Sequence, residues 1–173
     1  IIAANKIDRP QGKANYERIK QAFEYPIVAC FADGELSLRQ ADKVGLISYI
    51  PGEKSLDMQK EVNDKQKAAL EQIQKIMKEL VNTGIQEVLN HVVFDILKYV
   101  AVYPAGAKLS DSKGNILPDC FLMPPGSTAL DFAYRLHTDI GKGFVKAIDI
   151  RTKQAVGKEY KLKNGDGLEI MTK

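Results

Sequence analysis

The sequence predicts a mixed α/β protein in two parts, a parallel sheet with helices followed by a small α+β domain. Two apolar runs, Ile1-Ile2-Ala3-Ala4 and Ile27-Val28-Ala29-Cys30, bracket one helical stretch. That order is a parallel crossover unit with its usual right hand. Two long stripes at helical spacing then occupy residues 64–97. Beyond Tyr99 the pattern shortens to strand-like runs and turn clusters around a single helix. A boundary is therefore expected near residue 98, giving parts 1–98 and 99–173.

The opening run lacks polar alternation, as a strand buried on both faces requires. One strand is not stable without neighbours, and the run carries no initiator Met or signal-peptide head. The chain is expected to begin inside a domain. A helix is predicted over residues 14–23, with Tyr16, Ile19 and Phe23 sharing a face. Another is predicted over 35–46, stopped at Gly45 and followed by Pro51-Gly52 and a polar connection. Over residues 64–80, Leu70, Ile73, Ile76, Met77 and Leu80 recur at helical spacing between Lys, Glu and Gln. Thr83, with Gln86 in capping-box register, is expected to start the next helix. Its buried stripe would comprise Ile85, Val88, Leu89, Val92, Val93 and Ile96, leaving His91 at the surface.

The second part reads as strands at 99–103, 121–123, 144–150 and 168–172, with turns at 110–115 and at Pro124-Pro125-Gly126. One helix is predicted over 128–139, with Thr128 and Asp131 in capping-box register and Gly141 beyond its end. Asp131 at the helix start and Asp139 at its exit have structural tasks, so no acid/base or metal role is assigned to them or to His137.

At 173 residues with 45% hydrophobic and 27% charged side chains, the chain can bury a substantial core. No apolar run approaches the roughly 20 residues needed to cross a bilayer, so no membrane partner is expected. A net charge of +3 does not by itself announce a nucleic-acid protein. Cys30 and Cys120 lie far apart without metal-type spacing, which suits two buried thiols in a reducing compartment.

The sharpest local signal is Asn5-Lys6-Ile7-Asp8, directly after the opening strand, where parallel sheets present ligands. An aspartate there can accept hydrogen bonds from the N1–H and 2-amino groups of guanine, a donor pair that adenine lacks. Asn5 can bond N7 of the base or brace the neighbouring loop. The apolar stem of Lys6 can lie along the base plane. The plain alternative is a polar turn capping a helix. After the second strand, Phe31-Ala32-Asp33 occupies the loop facing the same cleft.

Together these loops resemble the fourth and fifth motifs of the GTPase fold. In the fifth, usually Ser-Ala-Lys or Ser-Ala-Glu, the Ala backbone N–H meets guanine O6. That role falls to Ala32, while Phe31 stands where the usual Ser hydroxyl braces the loop. Residues 32–41 (ADGELSLRQA) and 83–97 are similar to archaeal YchF-like members of the Obg family. Residues 122–141 (LMPPGSTALDFAYRLHTDIG) and 162–170 (LKNGDGLEI) resemble the TGS signature of threonyl-tRNA synthetases, Obg-type GTPases and SpoT-like enzymes.

The resemblance implies the C-terminal portion of a P-loop GTPase domain, then a β-grasp, ubiquitin-like TGS domain. It further implies guanine contacts by Asn5, Lys6, Asp8 and Ala32, a GTP ligand, a cytoplasmic location and a translation-linked or ribosome-associated role. TGS domains bind and regulate rather than catalyse. No G-x-x-x-x-G-K-[ST] loop is present, since Gly12-Lys13 and Gly141-Lys142 lack the upstream glycine and the following Ser or Thr. GTP and Mg²⁺ are thus expected with the full-length protein, a GTPase, whereas this chain alone should be inactive. Lys158, Lys161 and Lys163 could contact ribosome or structured RNA through phosphates. The rivals are a non-enzymatic TGS-based RNA- or protein-binding adaptor and a regulatory piece of a synthetase or SpoT-like enzyme. The strand–NKID–helix–strand order argues against both.

Overall fold

The computed structural model describes residues 1–105 and 119–173, and the turn expected at 110–115 lies outside them. The chain divides into two compact units, Ile1–Val92 and Val93–Lys173.

In the first unit, β1 (Ile2–Ala4) pairs in parallel with β2 (Ile27–Ala29), Ile2 opposite Ile27 and Ala4 opposite Ala29. Helix α1 (Gly12–Ala22) makes the crossover. Tyr16 and Ile19 are half-buried as its apolar spacing requires. Phe23 leaves that face: it terminates the helix in extended conformation, half-exposed, and stacks on Tyr25. Helix α2 (Ala32–Lys43) begins three residues earlier than its apolar spacing predicts, with Asp33 and Glu35 in the first turn, where the helix dipole favours negative charge. The expected polar connection contains a short antiparallel pair, β3 (Ile47–Ser48) with β4 (Asp57–Met58). It seats Ile47, Tyr49 and Leu56 in the core beside Leu38 of α2.

Helix α3 (Asp64–Leu80) follows its stripe, burying Leu70, Ile73 and Met77, and is started by a reciprocal Asn63–Gln66 capping box. The expected Thr83–Gln86 box is absent. Thr83 is fully buried, Gly84 in left-handed conformation precedes α4 (Ile85–Asn90), and Gln86 bonds Asn90 instead. The winding changes to a π-helical turn over His91–Ile96. That wider turn carries later side chains off a 3.6-residue stripe. Ile96 is consequently half-exposed; Leu89, which precedes that turn, is also half-exposed and His91 is half-buried, the reverse of the expected pattern for these three.

Among the described residues, the second unit forms a five-stranded mixed sheet of order β6-β5-β9-β7-β8. Its first and last strands, β5 (Val100–Pro104) and β9 (Asp166–Thr172), lie parallel at the centre. Around them, β6 (Phe121–Met123), β7 (Phe144–Asp149) and β8 (Ala155–Val156) pair antiparallel. Helix α5 (Ala129–Leu136) supplies Ala129 and Phe132 to a core shared with Val102, Met123, Ala147, Leu162 and Leu168. Phe132 meets Phe121 edge-to-face, centroids 5.8 Å apart.

The Thr128–Asp131 capping box forms as spaced. The predicted single helix over 128–139 is instead two. His137 is extended, its N–H closing α5 on the carbonyl of Ala133, while its Nδ1 accepts from the Asp139 N–H to start α6 (Thr138–Lys142). Asp139 thus lies in a first turn rather than at a helix exit. The cysteines also divide. Cys30 is buried, where desolvation and then the nearby Glu87 charge push its thiol pKa up, but Cys120 is exposed.

Candidate functional site

Parallel pairing of β1 and β2 places their carboxyl ends side by side, so the chain leaves both strands toward one place. Two backbone bonds extend the ladder past the strands. The Cys30 N–H donates to the Ala4 carbonyl at 2.9 Å and the Ile7 N–H to the Cys30 carbonyl at 3.3 Å. Side chains then take over: the Ala32 N–H donates to Asn5 Oδ1 at 3.1 Å. Of the two tasks open to Asn5, its carboxamide performs the bracing one here, and the donor it satisfies is the N–H assigned to a base oxygen.

The turn from Asn5 to Asp8 is tight. Lys6 has φ 65°, and a Cβ at Gly12 would lie 2.4 Å from the Lys6 carbonyl, so only glycine lets α1 begin this close. Ile7 points into the core at 4% exposure, whereas Asn5 and Lys6 are exposed. The side chain of Asp8 is 15% exposed, and the exposed Arg9 sits between two carboxylates, 3.4 Å from Asp8 and 3.8 Å from Asp33. A groove lies on the α3 side of Asp8, walled by Arg9, Pro10 and Lys13 and by Gln72 and Lys75, and crossed by a Lys13–Glu79 ion pair. Asn5, Lys6 and Ala32 do not line it.

Residues 3–106 match the family described as Obg-like GTPase YGR210-like, G4 motif-containing domain. The chain belongs to this family. Residues 100–172 match the TGS domain. The chain is 40% identical over 175 residues to a GTP-binding protein of Methanocaldococcus jannaschii, covering 99% of this chain and 44% of the relative. A crystal structure of a GTP binding protein from Pyrococcus horikoshii OT3 is similar at TM-score 0.67 and 39% identity, covering 99% of this chain and 45% of that one. A GTP pyrophosphokinase of Myxococcus xanthus shares 44% identity over 50 residues, 29% of this chain and 6% of the relative. The chain thus spans less than half the length of these relatives.

In this Obg-like chain, the Phe31 side chain offers no polar brace and anchors the loop by packing alone. Its ring is 7% exposed and packs so closely on Gly34 that a Cβ there would come within 2.3 Å. Polar bracing comes from elsewhere. The Phe31 N–H donates to the Thr83 carbonyl at 2.8 Å, and the Thr83 hydroxyl donates to Glu35 Oε2 at 2.6 Å. Glu35 is 4% exposed, and its carboxylate also accepts from the Tyr49 hydroxyl at 2.8 Å and from Arg39 Nε at 2.6 Å. Burial alone would raise its pKa. The Thr83, Arg39 and Tyr49 hydrogen bonds and the Arg39 charge outweigh it and hold the carboxyl below the usual glutamate range.

Spacing reasoning passed over Glu35, Tyr49 and the hydroxyl of Thr83. The legible signal was a glutamate three residues before Leu38 on a helix face bound for the core.

In the TGS domain, Lys158, Lys161 and Lys163 are all exposed, but two already have partners. Lys161 Nζ donates to the Gly126 carbonyl at 2.7 Å, tying down the Pro-Gly turn, and Lys163 lies over the Tyr160 ring at 5.9 Å. His137 and Asp139 serve the α5–α6 junction. Among the described residues, no three His, Cys, Asp or Glu side chains converge as a metal site would require, and no helix is long and apolar enough to cross a membrane.

Proposed function

We propose that this chain supplies the base-selecting half of the nucleotide site of an Obg-like GTP-binding protein, with Asp8 choosing guanine. The observation that carries the reading is the Asn5–Ala32 bond, which holds the loops after two parallel strands together with Asp8 beside them. The donor set fits the base. The carboxylate of Asp8 can only accept, matching guanine N1–H and the 2-amino group. Lys6, exposed and held at positive φ, can lay its stem along the ring. The base oxygen O6 either shares the Ala32 N–H with Asn5 or takes it over, which frees the carboxamide for N7. Arg9, being exposed, can swing from Asp8 at little cost.

GTP brings a triphosphate and its Mg²⁺, for which this chain has no Gly-rich Lys-Ser/Thr loop. Hydrolysis belongs to the longer protein, and the chain alone turns over no nucleotide. The TGS domain, whose mixed sheet carrying one main helix suits a β-grasp, is read as docking on ribosome or structured RNA. That fits a translation-linked role in the cytoplasm. Calorimetry on the phosphate-loop-bearing protein tests base choice: GTP should bind better than ATP, and Asp8→Asn should shift preference toward xanthine nucleotide, whose 2-oxo group accepts where guanine donates. Equal GTP and ATP affinities would overturn the reading. For the TGS domain, Lys158→Glu with Lys163→Glu should weaken ribosome co-sedimentation and flatten its salt dependence. An unchanged salt series would remove these lysines from the interface.

A further inference from the structure

We propose that Glu35, acting through Thr83, is the positioning residue that sets the base loop, fastening Phe31 and Ala32 to the corner between α3 and α4. The inference rests on the reading that this loop and the Asn5–Asp8 turn receive guanine.

Among the described residues, Glu35 is the one charged side chain buried in the first unit. A buried carboxylate is costly unless its lone pairs are filled, and here three donors from three places fill them. Arg39 lies one turn along α2, Tyr49 follows β3, and Thr83 follows α3. Of these, Thr83 reaches the base loop itself, since the Phe31 N–H donates to its carbonyl. Gly84 brings the corner in: at φ +76° it approaches the Ala29 carbonyl so closely that a Cβ would sit 2.0 Å away. The next N–H along from Phe31 is that of Ala32, held by Asn5. Glu35, Thr83, Phe31, Ala32 and Asn5 thus form one chain of contacts from the unit's core to the base-selecting turn. It replaces the brace that a Ser hydroxyl at position 31 would provide.

Amide hydrogen exchange on this chain, followed by NMR, tests the device without nucleotide. Thr83→Val removes the hydroxyl at nearly constant shape. Exchange at Phe31 and Ala32 should rise about tenfold, while Ile73 and Met77 in α3 stay within about twofold. Thr83→Ser should restore the native pattern. Tyr49→Phe, which removes a donor to the same carboxylate away from the loop, should disturb Phe31 and Ala32 far less. Unchanged loop exchange in Thr83→Val, a uniform rise across all amides, or an equal effect from Tyr49→Phe would each overturn the proposal. In the longer protein, Thr83→Val should lower the GTP-over-ATP affinity ratio about tenfold and Thr83→Ser should not. If the unsubstituted protein shows no GTP preference, the guanine reading fails, while the exchange pattern still decides whether Glu35 and Thr83 set the loop. A preserved ratio in Thr83→Val, with GTP preference intact, overturns the positioning role alone.

Discussion

Helix α2 in the first unit and helix α5 in the second are both anchored at their starts, but by opposite means. The first turn of α2 has no side-chain cap and is secured by the buried Glu35 carboxylate with its three donors. The first turn of α5 has a reciprocal Thr128–Asp131 cap at its exposed end, and its inward face is Ala129, Phe132 and Ala133, each fully buried. The first unit has an apolar core too, in Leu38, Ile47, Leu70, Ile73 and Met77, but it lies off β1 and β2, none of whose residues is buried as in a strand covered on both faces. In the second unit Val102, Ala147 and Leu168, on the sheet itself, are 0–1% exposed. Apolar packing is non-directional, so it closes a core without fixing one loop to within a hydrogen bond. Hydrogen bonds to a buried charge are directional and fix geometry. The base loop is fixed by the second device beside an apolar core of its own unit, whereas the inward face of α5 in the TGS domain relies on the first.

The hardest test of that contrast is Phe132→Ala. Emptying the volume of a fully buried ring that also meets Phe121 should cost about 3–5 kcal/mol in urea unfolding. The loss should appear in exchange of β5, β7 and β9 amides while α3 amides hold. A matching loss in α3 would show that the two units do not unfold independently. Next in size is Glu35→Ala, which leaves the Thr83 and Tyr49 hydroxyls without their acceptor. It should cost the first unit about 2–3 kcal/mol, read from exchange of α2 and α3 amides.

The same carboxylate gives that unit a pH signature. Its folded pKa lies below its unfolded one, so its contribution is complete above the unfolded value and drains away as pH falls through the folded value. Thermal melts of the first unit should therefore soften through the acidic range below ordinary glutamate titration, and Glu35→Gln should flatten that slope. An identical acid limb in the variant would assign the sensitivity to other carboxylates. The smallest effect belongs to the exposed cap. Thr128→Ala should cost about 1 kcal/mol and fray α5 from its start, leaving the core amides of β9 protected. A loss as large as that of Phe132→Ala would mean that the cap, rather than the apolar face, holds α5.

Long-period and short-period patterns in the sequence translated well into elements. The stripe Leu70, Ile73 and Met77 is the buried face of α3, and Thr128 with Asp131 caps α5 as spaced. Patterns that fit two outcomes equally did not. Thr83 has the chemistry of a cap and the size of a core residue, and only the approach of Glu35 made it the second. His137 sits in a run that reads as uninterrupted helix until its own extended backbone and ring nitrogen divide it. Cys120 resembles any small apolar residue in a pattern, and its exposure follows from its place before β6.

By itself, the sequence determined that an Asn-Lys-Ile-Asp turn follows a strand, that Ala32 follows the next parallel strand, and that a TGS signature closes the chain. Those are local matters of residue type, spacing and strand order, which depend on no distant contact. Only the tertiary structure decided that Asn5 spends its carboxamide on Ala32, that Lys161 is occupied by the Pro-Gly turn 35 residues before it, and that Glu35 is buried with Thr83 across 48 residues of chain. Each of these is a long-range pairing in which a polar group finds its partner through packing of elements far apart in sequence. No local spacing encodes such a meeting, because the cost of burying each group is fixed by whoever arrives on its other side.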